Sequence, residues 1–228
     1  MTRVFKHIVI RLAAVLVLLA LLPLSEHCSA QRFEYYVVDK GVKSTPALQL
    51  RSNLLYDMAL CPNIGLEIQG KNGLALQLDY IGAWWNNDSK HRYWNNYGFQ
   101  LEGRYYFSNG MNKLPLRGHH IGVYGYLVTY DFEFGGTGYT SPKFGDTYGV
   151  GASYGYSFRL GENFCLDCTL GLGYFQSVYG RYIPRNDNYY FLEHRKKTWI
   201  GPTKLEAALV WNIFKGNKNA KSKGGYRR

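Results

Sequence analysis

The chain has 228 residues and a formal net charge of +11, with 26 glycines, 21 tyrosines and only 7 prolines. Its mean hydropathy is negative, which excludes a bundle of membrane-spanning helices. Six of the basic residues lie in the last fourteen positions, so much of the positive charge lies outside the central part of the chain. This distribution argues against a nucleic-acid-binding protein.

The N-terminus has the parts of a secretory signal peptide. Arg3, Lys6 and Arg11 make a basic start, the run from Leu12 to Leu24 is apolar, and small residues end at Ala30. The alternative is a membrane-anchoring helix, but this run is shorter than the roughly 20 residues that such a helix needs. We therefore predict that residues 1–30 are a cleaved signal peptide, followed by a periplasmic lead-in at 31–47.

Eight segments between residues 48 and 214 alternate apolar with polar residues. Period-two alternation places the two sets on opposite faces of a β-strand. Asn72-Gly73 is a strong hairpin signal between the second and third segments. The predicted strands span 48–57, 63–69, 74–85, 93–107, 119–134, 147–160, 164–175 and 199–213.

The clearest of these segments lie between Thr147 and Phe175. Each predicted strand has about a dozen residues, with aromatic residues near its ends and small or polar residues on the opposite face. This pattern is typical of tilted membrane-spanning strands with lipid outside and a polar interior. A soluble hairpin with one buried apolar face would alternate in the same way, so an exported β-sandwich is an alternative fold.

The lengths of the connections predict the orientation. The connections after the second and sixth strands are short, whereas those after the fifth and seventh are longer, at Gly135–Asp146 and Ser177–Lys197. Bacterial outer-membrane barrels have short periplasmic turns and longer extracellular loops. Both termini are then predicted to be periplasmic, with a basic periplasmic tail at 215–228.

Charged residues of both signs lie on the predicted inward face. An eight-stranded barrel encloses a space that side chains just fill. Because unpaired buried charge is costly, we expect ion pairs that plug the interior rather than an open pore. The candidates for this network are Arg51, Glu67, Asp79, Glu102, Arg104, Asp131, Glu133, Asp167, Lys204 and Glu206.

The polar loop after the third strand contains Asp88, Ser89 and His91. A serine, an acid and a histidine at a membrane surface suggest a lipopolysaccharide-modifying enzyme, but nucleophilic catalysis needs a base within reach of the hydroxyl. Neighbours on one short loop rarely meet that requirement, and the strand register places His119 and His120 at the opposite, periplasmic end. We therefore expect hydrogen bonds within the loop and no catalytic residues.

The predicted mature chain keeps three cysteines, Cys61, Cys165 and Cys168. Cys165 and Cys168 lie an odd number of residues apart on one strand, so their sulfur atoms are expected on opposite faces. A redox or zinc site needs both sulfur atoms on one side. We predict no metal and no cofactor.

Several sequence blocks together resemble an uncharacterised family of small outer-membrane barrel proteins of Bacteroidetes, with a domain of unknown function and an OmpA-like barrel. The resemblance covers residues 48 to 214 and implies a location in the cell envelope, with no established activity, ligand or catalytic residue. The blocks are Asn53–Asp57 with Pro62–Glu67, Trp84–Trp94, Gly118–His120 with Tyr130–Gly136, Tyr148–Gly151 with Ser153–Tyr156, Gly171–Phe175 and Gly201–Lys204.

The sequence therefore predicts an all-β protein, an eight-stranded antiparallel up-and-down transmembrane β-barrel in the bacterial outer membrane. We expect a non-enzymatic structural or surface-interacting role. The expected partners are outer-membrane lipid, lipopolysaccharide and, during insertion, the barrel-assembly machinery. The basic tail is a further candidate for contact with an anionic periplasmic or cell-wall partner, and no nucleic-acid partner is expected.

Overall fold

The computed structural model describes residues 47–70, 73–87, 89, 91–107, 118–160, 163–185 and 188–214. The predicted signal peptide, basic tail and all of the lead-in but Ala47 lie outside these residues. The elements are β1 (Ala47–Asn53), α1 (Leu54–Met58), β2 (Asn63–Gln69), β3 (Leu74–Asn87), β4 (Arg92–Tyr106), β5 (Gly118–Phe134), β6 (Gly138–Ser141), β7 (Thr147–Arg159), β8 (Phe164–Arg185) and β9 (Asn188–Phe214). The single helix has five residues, and no described helix has the length and hydropathy needed to cross a membrane.

All nine strands are antiparallel and form one sheet that closes into a ring. The ring closes where β1 pairs with β9, from Leu48 opposite Phe214 to Asn53 opposite Ala208. Following paired residues once around the ring from Ile200 leads back to β9 at Trp211, eleven residues further along. This stagger means that the strands are tilted relative to the axis of the ring.

The prediction of an all-β antiparallel fold is confirmed, but the prediction of eight strands is wrong by one. The additional strand is β6, which lies between β5 and β8 where a loop was predicted. The hydroxyl groups of Ser141, Thr147 and Ser177 hold it there, at 2.9 Å between the first two and 2.7 Å between the last two. These bonds join β6 to β7 and β8 across the irregular segment 142–146.

Two further predicted boundaries differ from the structure. The first strand ends at Asn53 rather than at Asp57, because Asn53 caps α1: its side-chain oxygen accepts a hydrogen bond from the backbone N–H of Leu55 at 3.2 Å. The predicted loop Ser177–Lys197 is instead a β-hairpin, formed by the extended outer halves of β8 and β9.

The two faces of the ring have opposite chemistry. Arg104, Glu67 and Glu102 face the interior and are each at most 1% exposed. Apolar side chains on the other face are exposed, with values of 52% for Leu101 and 72% for Val123. The polarity of a water-soluble protein is therefore reversed in this ring, where the charge is buried and the apolar groups face outward.

Glycine permits a close approach of β7 to β8. A Cβ atom on Gly151 would lie 2.4 Å from the backbone oxygen of Leu172 and 2.6 Å from the hydroxyl of Tyr124. A Cβ atom on Gly103 would meet no heavy atom within 4 Å. The two glycines are thus a matched pair, one in a crowded position and one in an open position.

We expect Gly151→Ala to lower the free energy of unfolding by about 1–3 kcal/mol, because the added methyl group must push two strands apart. Gly103→Ala should have a much smaller effect. The measurement is the urea concentration at half-unfolding, followed by tryptophan fluorescence. Equal midpoints for the two variants would contradict the close packing of β7 against β8.

Candidate functional site

The candidate site is a buried network of ion pairs inside the ring. Its side chains come from inward-facing positions of β1, β2, β4, β8 and β9, so that strands distant in sequence are joined at one place. The charged members are Arg51, Glu67, Glu102, Arg104, Asp167, Lys204 and Glu206.

Arg104 lies at the centre and is 1% exposed. One terminal nitrogen, Nη1, lies 2.6 Å from Asp167 Oδ2 and 3.3 Å from Glu67 Oε2. The other, Nη2, lies 3.1 Å from Glu102 Oε2 and 3.3 Å from Glu206 Oε2. The planar guanidinium group thereby contacts four carboxylates, which a lysine ammonium group could not do in the same fixed geometry.

Arg51 contacts three of the same carboxylates. Its Nη1 atom lies 2.6 Å from Glu67 Oε2, and its Nη2 atom lies 2.8 Å from Asp167 Oδ2 and also bonds Glu206. Two cations thus share three anions, and each carboxylate lies between two guanidinium groups. This arrangement reduces the repulsion both between the arginines and between the acids.

Lys204 is the third cation of the network. Its ammonium group bonds Glu102 and lies 2.9 Å from Glu206 Oε2. It also lies 5.6 Å from the centroid of the Tyr124 ring, a distance that allows a cation–π contact. The hydroxyl of Ser153 donates a further hydrogen bond to Glu102.

Neutral side chains satisfy the remaining carboxylate oxygens. The Tyr106 hydroxyl donates to Glu67 Oε1 at 2.7 Å, and the Ser157 hydroxyl donates to Asp167 Oδ1 at 3.1 Å. His120 Nε2 lies 3.6 Å from the same Asp167 oxygen. Three of the four acids, Glu67, Glu102 and Asp167, are therefore held by a hydroxyl group as well as by cations, and Glu206 by cations alone.

The network carries a small excess of negative charge, because three cations face four acids. Asp79 stands at its edge: Oδ1 lies 3.8 Å from Arg51 Nε, and the side-chain amide of Gln100 donates to Oδ2 at 3.1 Å. The side chain of Asp79 is 22% exposed, so that part of its charge is solvated.

Two of the ten predicted network residues lie apart from it. The pairing of β5 with β4 runs without a break from His120 to Phe134. By strand alternation Asp131 and Glu133 therefore share a face with Val123, opposite to Tyr124, which faces the ion pairs. The sequence analysis had placed Asp131 and Glu133 with the inward-facing acids, whereas the strand register places them on the other face of β5.

Sequence reasoning also missed the neutral residues of the network. Tyr106 alternates in step with Arg104, and His120 in step with Gly122. Both residues would have been assigned to the interior face if every second residue had been counted from the charged positions rather than from the aromatic ones. Gln77, whose side-chain oxygen accepts a hydrogen bond from Arg51 at 2.8 Å, was not among the predicted network residues.

The predicted loop site does not form a catalytic relay among the described residues. Ser89 donates its hydroxyl hydrogen to the side-chain oxygen of Asn87 at 2.9 Å, and Asp88 lies outside the described residues. The backbone oxygen of His91 accepts a hydrogen bond from Gly135 at 2.8 Å, which places this loop beside the end of β5. His120 lies near the start of β5, at the opposite end of the same strand.

The cysteines and possible metal ligands carry no site in the described part of the chain. Cys61, Cys165 and Cys168 are all free thiols. No group of three or more histidine, cysteine, aspartate or glutamate side chains there has a geometry suited to a metal ion.

The fold and the network together define a class: a closed antiparallel ring of strands with a charged interior and an apolar exterior. The family of proteins of unknown function DUF3575 matches residues 16–213, and the chain belongs to this family. The chain has no significant match among curated proteins.

The network provides a test of its own contribution to stability. We expect Arg104→Ala to lower the free energy of unfolding by about 3–5 kcal/mol, because the surrounding carboxylates would lose a shared cation while staying buried. The measurement is the urea midpoint of the refolded protein.

Arg195→Ala is the matched control, because this exposed arginine pairs only with Glu193, at 2.9 Å, among the described residues. Its urea midpoint should equal that of the wild type. If Arg104→Ala and Arg195→Ala unfold at the same urea concentration, the network does not stabilise the ring.

Proposed function

We propose that the protein is a non-enzymatic β-barrel of the bacterial outer membrane, with a structural or surface-interacting role in the cell envelope. The observation that carries this proposal is the reversed polarity of the ring. A charged network fills the interior, whereas the outward face of seven strands is apolar. In water this surface would be costly, but in a bilayer it is the surface that lipid requires.

The apolar surface forms a continuous belt. On β4 it extends from Tyr97 to Tyr105, about nine residues, which is close to the 9–11 residues of a tilted membrane-spanning strand. The other strands contribute Ile64, Leu66 and Ile68; Leu74, Leu76, Leu78 and Tyr80; Ile121 and Val123; Val150, Tyr154 and Phe158; Phe164, Leu170 and Leu172; and Leu205, Leu209, Trp211 and Ile213.

Beyond the belt, the ring continues as a polar and aromatic extension. It includes the ends of β4 and β5 and the hairpin Ser177–Lys197 of β8 and β9. Lys196 and Lys197 are exposed on this hairpin, and Arg195 is 53% exposed along its side chain. In the proposed orientation both termini are periplasmic, and this basic hairpin contacts lipopolysaccharide phosphates outside the cell.

The interior supports a structural role rather than solute transport. The network spans the ring from Arg51 on β1 to Asp167 on β8 and Glu102 on β4, so we propose that it plugs the lumen. The hydrogen bond from Ser89 to Asn87 favours a structural loop over the alternative, an enzyme that modifies lipopolysaccharide, because the serine hydroxyl donates to an amide oxygen rather than to a base.

The location can be tested by fractionating cells that express the full chain. We expect the protein in the outer-membrane fraction, and we expect an unheated sample to migrate faster on a denaturing gel than a boiled one, since a closed ring resists detergent. Recovery of the protein in the soluble periplasmic fraction would contradict the proposed membrane location.

A charge placed on the belt tests which surface meets lipid. Leu101→Arg should lower the free energy of unfolding in a bilayer by about 2–4 kcal/mol, because an arginine near the membrane midplane is poorly solvated. Leu192→Arg is the matched control, since Leu192 is similarly exposed (48% against 52%) but lies on the hairpin beyond the belt.

Unfolding of both variants is followed by urea titration in lipid vesicles. Leu192→Arg should unfold at the wild-type concentration. An equal and small effect of the two arginines would show that the residues around Leu101 do not face lipid.

A further inference from the structure

Glu133 is a fully buried acid that forms no salt bridge within the described part of the chain. It lies near the end of β5, and neither of its carboxylate oxygens has a hydrogen-bond partner among the described residues. Every acid of the interior network has at least one cation and, in most cases, a hydroxyl group beside it. Burying a charged carboxylate without a partner costs more free energy than burying a paired one. The presence of Glu133 at this position therefore points to a partner that binds from outside the chain.

The surroundings of Glu133 contain further polar groups. Asp131 lies two residues earlier on the same face, where its Oδ1 atom accepts a hydrogen bond from the Tyr182 hydroxyl at 2.7 Å. Tyr93 lies directly opposite Glu133 in the β4–β5 register. His91, at the start of β4, has a buried Nδ1 atom with no hydrogen-bond partner in the described part of the chain.

Aromatic rings enclose these groups. The Tyr189 hydroxyl lies 2.6 Å from the Tyr93 hydroxyl, which ties the outer hairpin to β4. The Tyr189 ring stands edge-on to the Tyr182 ring at 5.4 Å and to the His91 ring at 6.4 Å between centroids. Two carboxylates are therefore surrounded by three tyrosines and one histidine.

The electrostatics of this cluster favour a cationic ligand. Burial raises the pKa of the Glu133 carboxyl and the charge of Asp131 adds to that rise, while the His91 ring and the nearby Tyr182 hydroxyl lower it in part. Burial also raises the pKa of Asp131, and the hydrogen bond from Tyr182 lowers it in part. Neither acid forms a salt bridge among the described residues, so a bound cation would relieve the cost of burial at both.

We propose that Glu133, Asp131, His91 and the three tyrosines form a binding site for a protonated primary amine. A primary ammonium group has three N–H donors, and three buried polar atoms without a hydrogen-bond partner lie here in the described part of the chain: both oxygens of Glu133 and Nδ1 of His91. Tyrosine faces attract the same cation. A metal ion fits less well, because the described residues hold no group of three or more suitable ligands.

Two sources can supply this chemistry: a small soluble amine or the ethanolamine headgroup of a lipid. The site lies beyond the apolar belt, at the level where headgroups meet the barrel. Only the lipid source rests on the proposed membrane location. The soluble amine requires nothing more than the folded protein. A failure of the amine-binding site can therefore be distinguished from a failure of the proposed membrane location.

The test uses the full chain in phosphatidylcholine nanodiscs, with ethanolamine as the probe and tetramethylammonium, which has no N–H donor, at equal ionic strength. Ethanolamine should raise the urea midpoint of the wild type, and tetramethylammonium should not. Glu133→Gln should weaken ethanolamine binding by about tenfold or more, because a charge-assisted hydrogen bond is lost. This variant removes a buried charge, so we expect it to fold at least as well as the wild type.

Glu193→Gln is the control, because this exposed glutamate pairs with Arg181 and Arg195 on the hairpin and should leave the response to ethanolamine unchanged. Both proteins are also measured in nanodiscs that contain phosphatidylethanolamine, without added ethanolamine. A urea midpoint of the wild type above that of Glu133→Gln there identifies the lipid headgroup as the ligand. A response to soluble ethanolamine alone identifies a free amine. The proposal is overturned if the wild type shows no ethanolamine-specific shift in either bilayer, or if the shift persists in Glu133→Gln.

Discussion

The sharing of carboxylates between Arg51 and Arg104 is the interaction on which the rest of the structure depends. Each charge inside the ring lies away from bulk water, and a single buried ion without a partner would cost several kcal/mol. The two guanidinium groups meet Glu67, Asp167 and Glu206 at once, so that strands β1, β2, β4, β8 and β9 are joined at one centre. The apolar exterior follows from the same alternation that directs these charges inward.

Small residues make room for this centre. Tyr124 crosses the interior toward Thr203, to which it is hydrogen bonded, and Gly151 and Gly171 lie beneath its ring and hydroxyl. Lys204 then lies over the face of the same ring. Glycines on β7 and β8 thus serve the packing of a large interior side chain, whereas the abundance of tyrosine had suggested mainly rings at the membrane interface.

The strands and the charged interior followed from the sequence because period-two alternation is a local signal. Leu74–Tyr80 and Thr147–Arg159 alternate so regularly that their positions needed no tertiary information. The additional strand β6 did not follow, because four residues, Gly138 to Ser141, alternate too briefly to be distinguished from a loop. The hairpin beyond Ser177 carries aromatic and basic residues on both faces, so nothing in its pattern separates a strand from a loop.

The orientation of the two faces of β5 and the position where β1 ends were harder to predict from the sequence. Aromatic side chains on β5 occur on both faces, and only the partners across the ring decide which of them is buried. The segment Leu54–Met58 continues an apolar pattern that fits a strand, yet the cap formed by Asn53 turns it into a helix. The cluster around Glu133 brings together residues from β4, β5, β8 and β9. No local pattern could have predicted it, because those residues meet only after the ring has formed.

The closure of the ring between β1 and β9 has a consequence for biogenesis. These two strands lie at opposite ends of the described chain, so the first strand finds its second neighbour only after the last strand has been delivered. Until then the growing sheet has two open edges with unpaired backbone N–H and C=O groups, which can pair with other chains. A chain interrupted before residue 208 lacks the second partner of β1, and protection from other chains therefore matters most in the interval before β9 arrives.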